Sequence, residues 1–401
     1  MAKFIWKVGN AGKDGMHKVE KYLVASTKVL VDGKTQVTMK YDEATFGEAN
    51  MYTSTKLRLT VQDLKLTDSD ALMDGVITKM QALNKSGKAF WFSKNLSFDI
   101  GQAIEDHGEL KGWQIYDAGH TFIGSRDSQS GGWDGDVIES GKGNDRVKAN
   151  EGGDFIAGSL GNDKIYGGDG NDKISYQWYD VDGPGITANL AKGIVRNSDG
   201  MRDKLFSVER VRGTMENDKF IGQDGAANQF NGLKGNDNIN GGKGSGDLAT
   251  YYKDDGAGGT NGIKANLKTG KIIDGFGDTD TVTGIENVRG TAHNDRFVDN
   301  AKVNGFQGDG GNDTFIFTRG DDWAIGGSGA DTFIYKGAFG VDWIGDFSQS
   351  EGDKIKIAGA KKFSALTITD DEGRAAVTFG DNVVLLNNVS ASDLSASDFL
   401  F

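Results

Sequence analysis

Apolar positions between residues 136 and 176 recur with a period of nine. Ile138, Val147, Ile156, Ile165 and Ile174 each stand two residues after an aspartate, at Asp136, Asp145, Asp154, Asp163 and Asp172. An acid followed at the second position by an apolar side chain suits a very short strand, because alternate residues share a face. Polar, glycine-rich stretches between these strands predict tight loops. The same spacing returns later. Asp295, Asn304, Asp313, Asp322 and Asp331 recur every nine residues, with Phe297, Phe306, Phe315 and Phe333 two positions on. In Asp218, Asn228, Asp237 and Asp247 the spacing stretches to ten at two steps. The later segment is therefore expected to have a bulkier aromatic core than the Ile/Val segment.

Before residue 126 the pattern is different. Residues 3–8, 27–31, 35–39, 56–61 and 89–93 alternate apolar and polar side chains and predict half-buried strands. Residues 68–86 are ambiguous. Leu72, Val76, Met80 and Leu83 fit a helix face behind an Asp68 or Ser69 cap, whereas Val76, Ile77 and Thr78 fit a strand. Residues 97–105 suit a short helix. A separate, small β-rich domain with one or two helices is expected here.

A longer repeat overlays the short one. Residues 186–190 return at 263–267, residues 209–214 at 286–291, and residues 217–220 at 294–297, always 77 residues on. A fixed internal period marks a repeat architecture in which each unit buries its apolar face on the next.

The polar positions supply the chemistry. Calcium takes roughly 6–8 oxygen ligands. Aspartates bring charge and oxygen, and a loop able to turn sharply aims backbone carbonyls inward. Gly167-Gly168-Asp169-Gly170-Asn171-Asp172-Lys173-Ile174 and Gly326-Gly327-Ser328-Gly329-Ala330-Asp331-Thr332-Phe333 fit the calcium-binding nonapeptide G-G-x-G-x-D-x-U-x, with U apolar. Strict phasing of the apolar residues argues against a disordered Gly/Asp-rich linker. An EF-hand is excluded, since no D-x-[DN]-x-[DN]-G string carries a glutamate at the twelfth position.

These motifs resemble the RTX, or hemolysin-type, calcium-binding proteins. The resemblance implies an all-β chain whose main body is a parallel β-roll, two nonapeptides to a coil, preceded by the β-rich amino-terminal domain. It places Asp136, Asp154 and Asp172 on one edge, and Asp127, Asp145 and Asp163 on the other. Metal positions are expected at these six, at Gly161, Gly168 and Gly170, and at Asp218, Asn228, Asp237 and Asp247. Further ones are expected at Asp295, Asn304, Asp313, Asp322, Asp331, Gly327 and Gly329. Asn228 and Asn304 keep a carbonyl oxygen but lose charge, so weaker sites are expected there. Departures from the motif, such as Asp134 and Ser140 at glycine positions, put individual affinities in question.

Expected segments are 1–125, the amino-terminal domain; 126–176, the first roll segment; 177–250 and 251–337, the two long repeats with their roll segments; and 338–401. The last resembles the cap and secretion region of serralysin-type repeat domains, carried by residues 342–347, 352–355, 383–389 and the ending Asp398-Phe399-Leu400-Phe401. An acid followed by three apolar residues is the family's type I secretion ending. The resemblance therefore implies secretion to the extracellular space or cell surface, with the type I machinery and calcium as partners.

Composition narrows function. The chain of 401 residues carries a net charge of −13, with 61 glycines, one proline and no cysteine. Such an acidic chain is a poor partner for nucleic acid or anionic membrane, and thiolate sites and disulfides are excluded. No apolar run of the length needed to span a bilayer occurs, and residues 1–10 do not read as a secretory signal peptide. His17, His107 and His120 lie outside any H-E-x-x-H motif, and neither a nucleophile elbow nor a P-loop is present. No catalytic residue is therefore assigned. Two readings remain. One is a calcium-binding protein acting in adhesion, biofilm or surface-layer assembly, where homo-oligomers would serve. The other is a carbohydrate-active enzyme or polysaccharide-binding module in the amino-terminal domain, with Trp91 and Trp113 as stacking platforms or core residues.

Overall fold

The computed structural model describes residues 137–140, 143–158, 160–177, 185–196 and 200–401, and before them only the backbone of seven strands. His17, His107, His120 and Trp113, like Asp127 and Asp136, lie outside the described residues, as does the side chain of Trp91. The chain forms two compact units: Met1–Tyr179 with Gly200–Val208, and Asp180–Asp199 with Glu209–Phe401.

The first unit begins as an antiparallel meander. Strands Lys3–Phe4, Tyr22–Val29, Thr35–Tyr41, Lys56–Leu66, Leu72–Leu83, Ala89–Asp99 and Thr121–Ile123 each pair with the next. The helix considered for residues 68–86 is corrected by strand Leu72–Leu83, which is hydrogen-bonded on both sides. Gly75 and the β-branched pair Val76-Ile77 weaken a helix there, and two flanking strands satisfy the backbone better. Ser97–Asp99 closes strand Ala89–Asp99 rather than opening a helix; residues 100–105 lie outside the described residues.

Pairing then turns parallel. Thr121–Ile123, Arg146–Glu151, Lys164–Asp169 and Arg202–Phe206 form one ladder. Val137–Glu139, Phe155–Ala157 and Lys173–Ser175 form the second. Strand register stacks Ile138, Ile156 and Ile174 in one column and Val147, Ile165 and Leu205 in another, all buried. Period-two alternation in three-residue ladders leaves room for a single inward residue, which is why one apolar side chain per nonapeptide suffices.

The second unit repeats this plan with longer coils. Its first parallel ladder runs Thr187–Asn189, Lys219–Ile221, Asn238–Asn240, Thr279–Thr283. It resumes as Lys264–Asn266, Arg296–Val298, Thr314–Phe317, Thr332–Tyr335, Lys354–Ile357. Between the two runs stands strand Lys271–Ile273, antiparallel to both of its neighbours. Part of the 77-residue repeat is this hairpin: Thr187–Asn189 with Ile194–Arg196 returns as Lys264–Asn266 with Lys271–Ile273. The second ladder stacks Arg210–Arg212, Gln229–Asn231, Leu248–Thr250, Asn287–Arg289, Gly305–Gln307, Trp323–Ile325, Val341–Ile344 and Asn382–Leu386.

Its core is aromatic. Phe315 stacks on Phe297 at 4.9 Å and on Phe333 at 5.0 Å, with ring planes 5° and 8° apart. Antiparallel strands Thr367–Asp371 and Arg374–Phe379 extend the second ladder beyond Asn382–Leu386. The final residues fold back: the Leu400 N–H donates to the Ile355 carbonyl at 2.8 Å, and the Phe399 ring lies 5.4 Å from Phe363. Among the described residues no helix is long and apolar enough to cross a membrane.

Candidate metal centres

Backbone-to-carboxylate hydrogen bonds join the loop aspartates from coil to coil. The Asp145 N–H donates to Asp163 Oδ1 at 2.7 Å, and the Asp154 N–H to Asp172 Oδ1 at 2.8 Å, each 18 residues away. In the second unit Asp295 donates to Asp313 at 2.7 Å, and Asp313 to Asp331 at 2.8 Å. On its other edge Asn304 donates to Asp322 at 2.6 Å. Asp218 donates to Asp237 at 2.7 Å and Asn228 to Asp247 at 2.9 Å, over steps of 19 residues that absorb the extra residue in each coil. Asp145 and Asp163 thus share one edge of the first unit, and Asp154 and Asp172 the other.

Four more aspartates continue these columns, and the nine-residue count misses them. The Asp163 N–H donates to Asp203 Oδ1 and the Asp237 N–H to Asp280 Oδ1, at separations of 40 and 43 residues. Asp322 donates to Asp342 and Asp331 to Asp353, over 20 and 22 residues. A tyrosine marks two of them, since Tyr176 Oη donates to Asp203 at 2.7 Å and Tyr251 Oη to Asp280 at 2.8 Å. The residue before the aspartate also has a job. Asn312 Oδ1 accepts from the Ala330 N–H at 2.8 Å, and Asn294 Oδ1 from the Asn312 N–H at 2.7 Å. The recurring Asn-Asp dipeptide was the available signal.

In six of these aspartates one carboxylate oxygen is left unsatisfied. Oδ2 of Asp237, Asp247, Asp313, Asp322, Asp331 and Asp342 is buried without a hydrogen-bond partner. Leaving such a group unpaired costs on the order of several kcal/mol when it is charged. Local geometry makes the burial unavoidable. A Cβ on Gly308 would fall 1.9 Å from Asp313 Oδ2, and one on Gly326 would fall 2.1 Å from Asp331 Oδ2. The leading glycine is the space into which its own aspartate folds.

Later glycines meet the preceding coil's backbone instead. A Cβ on Gly329 would sit 1.9 Å from the Gly311 carbonyl oxygen, and one on Gly327 2.2 Å from that of Asp309. Gly161, Gly168 and Gly170 likewise face the carbonyls of Gly143, Asn150 and Gly152. Both Gly327 and Gly329 have positive φ, 97° and 129°, which glycine adopts without strain.

These loops therefore gather oxygen acceptors and few donors. Burial pushes the Asp313 carboxyl up to about 8, with the charges of Asp295 and Asp331 adding to the rise. Burial, then Asp280 and Asp218, lifts Asp237 to about 10. Carboxylate oxygens and carbonyls without nitrogen or sulfur suit a hard cation, and calcium in particular. Among the described residues no three acidic or histidine side chains converge as a metal group. An ion here would be shared between carboxylates and loop carbonyls. Asp237, Asp247, Asp313, Asp322 and Asp331 each turn a buried oxygen without a hydrogen-bond partner into such a loop, whereas both oxygens of Asp218 and of Asp295 already accept, from Ile186 and Thr214 and from Ile263 and Thr291.

At Asn228 and Asn304 the side-chain amide takes up neighbouring acceptors. Asn228 Nδ2 donates to the carbonyls of Gln223, Ala226 and Gly241 and to Asp247 Oδ1, at 3.2, 3.1, 3.2 and 2.7 Å. Asn304 Nδ2 donates to the Glu286 carbonyl at 3.2 Å. An amide nitrogen with two hydrogens here serves the acceptors that a cation would otherwise satisfy.

Residues 130–163, 148–176, 223–245, 289–324 and 307–337 match the family model of the RTX calcium-binding nonapeptide repeat. The loops within those residues are similar to RTX repeats, and calcium is the ion such repeats bind. No curated protein matches the chain. Among solved structures it is similar to the extracellular lipase LipA from Serratia marcescens, at 18% identity and a TM-score of 0.20. That match covers 69% of this chain and 40% of the lipase.

Proposed function

We propose that this protein is exported through a type I system and folds into a rigid scaffold on meeting extracellular calcium. Its role on this reading is adhesion, biofilm or surface-layer assembly at the cell surface or in the surrounding matrix. The observation that carries the reading is the set of buried, half-satisfied carboxylates stacked coil on coil. In a low-calcium cytosol these acids favour the unfolded chain, which is the form a secretion channel passes. Outside, each occupied site adds about 2.7 kcal/mol when calcium is in hundredfold excess over Kd. The absence of cysteine fits such export.

Polysaccharide is the second reading, and an outward face of the first unit favours it. Register aligns Arg146, Lys164 and Lys204 in one row and Lys148, Tyr166 and Phe206 in the next. Tyr166 and Phe206 stack at 4.5 Å, the Arg146 guanidinium lies 4.5 Å from the Tyr166 ring, and Phe206 is 45% exposed. Cations beside exposed rings on an acidic chain suit an anionic sugar polymer. Retention of the full chain on producing cells and on an immobilised polyuronate, in calcium and in chelator, tests both readings. Calcium-dependent retention supports a scaffold that binds. Release of sugar fragments would instead make it an enzyme.

A further inference from the structure

The loop signature recurs where no nonapeptide exists. Between strands Leu248–Thr250 and Thr279–Thr283 the chain makes an excursion of 28 residues, residues 251–278. It opens with the helical turn Asp254–Ala257 and carries the hairpin described above. Two of its acids, Asp254 and Asp274, have no solvent exposure at all. Each has one oxygen held by backbone N–H groups. Asp254 Oδ2 accepts from Gly275 at 3.1 Å, and Asp274 Oδ1 accepts from Phe276 at 2.9 Å and Asp278 at 2.8 Å. The other oxygen of each, Asp254 Oδ1 and Asp274 Oδ2, is buried without a hydrogen-bond partner. That is the state of Asp313 and Asp331 in the repeat loops.

The two carboxylates are neighbours. Gly275, whose N–H binds Asp254, directly follows Asp274 in the chain. A Cβ on Gly275 would fall 2.9 Å from Asp254 Cβ and 3.3 Å from the Asn261 carbonyl oxygen. Burial, with the nearby charges of Asp274 and Asp280, holds the Asp254 carboxyl up at about 8. Arg212 also lies near Asp254, and its Nε donates to Asn231 Oδ1 at 2.9 Å; no hydrogen bond from it reaches Asp254 Oδ1. Two buried carboxylates packed together, each with one oxygen lacking a donor, are stabilised by a proton or a cation placed between them.

We infer that Asp254 Oδ1 and Asp274 Oδ2 hold a divalent hard cation of the calcium class, separate from the ions of the nonapeptide loops. Backbone carbonyls of the excursion would complete the ligand set, as in the loops. The ion would fasten the helical turn Asp254–Ala257 and the turn at 274–278 to the column aspartate Asp280. The excursion would then be a metal-pinned element rather than a free insertion, and the hairpin it carries would be fixed against strand Thr279–Thr283.

The test uses the full chain with two probes. Crystals of the unaltered protein grown in calcium and exchanged with terbium should give an anomalous peak bonded to Asp254 Oδ1 and Asp274 Oδ2, apart from the peaks at the loops. In calcium-saturated solution, Asp274→Asn should bind one calcium ion fewer per chain by native mass spectrometry. Loop peaks without a peak at the Asp254–Asp274 pair would overturn the inference. So would an unchanged ion count in a folded Asp274→Asn chain. Should that variant not fold, the terbium map of the unaltered protein decides alone.

Discussion

Asn228 Nδ2 lies 2.7 Å from Asp247 Oδ1, so an amide donor occupies a place where Asp218 and Asp313 set a carboxylate in their columns. The same nitrogen serves three backbone carbonyls. Asn228→Asp would convert this donor into an acceptor and leave the carbonyls facing like charge. Each unmade buried hydrogen bond costs roughly 1–3 kcal/mol. In chelator the variant should therefore be less stable than the parent, and calcium should restore most of the loss. Calcium titrations of both proteins, followed by denaturant unfolding, check this. Equal loss with and without calcium would mean that the amide does not stand in for an ion.

Gly326 should not tolerate a methyl group. A Cβ there collides with Asp331 Oδ2, so Gly326→Ala must displace the carboxylate. The expected cost is about 1–3 kcal/mol in calcium, in the range typical of overpacking, with weaker calcium binding. Gly373→Ala is a useful comparison, because no atom lies within 4 Å of the corresponding Cβ there, although φ is positive at 86°. It should weaken folding through backbone strain without altering calcium affinity. Isothermal titration separates the two.

The aromatic column of the second unit should respond to truncation. Phe315 is buried between two stacked rings, and Phe315→Ala should cost about 3–5 kcal/mol. Phe315→Leu should cost less, since it removes less volume. Chemical unfolding at saturating calcium measures both.

Acid should partly replace calcium. Burial raises the carboxyls of Asp313, Asp322 and Asp342 to about 8 each in the folded chain, from an ordinary value of 3.8. Between those values the folded state binds more protons than the unfolded one. Stability without metal is therefore fullest below about 3.8 as far as these groups decide it, and falls as pH rises toward 8. In chelator, β content at pH 5 should exceed that at pH 8, and saturating calcium should shrink the difference. Circular dichroism across that window checks the sign.

Much of this was legible in the sequence because a nine-residue period is a local property. Asp145 and Asp163, or Asp313 and Asp331, stand one coil apart simply by count. Asp203 and Asp280 were not legible, since each follows an excursion that lengthens its coil to 40 or 43 residues from the aspartate it receives from. No periodicity survives such an insertion, and only strand register restores the column. The amide contacts of Asn228 and Asn304 were not legible for another reason. Sequence shows that charge is lost, but not that Nδ2 turns toward the carbonyls. At residues 72–83 apolar spacing suited two structures, and hydrogen bonding to strands on both sides decided between them.

The dependence of the fold on metal is tested most directly by far-UV circular dichroism of the full chain, titrated from excess chelator into millimolar calcium. A large, cooperative gain of β signal on adding calcium at neutral pH is the predicted result. Equal β content at both ends of the titration would contradict the account.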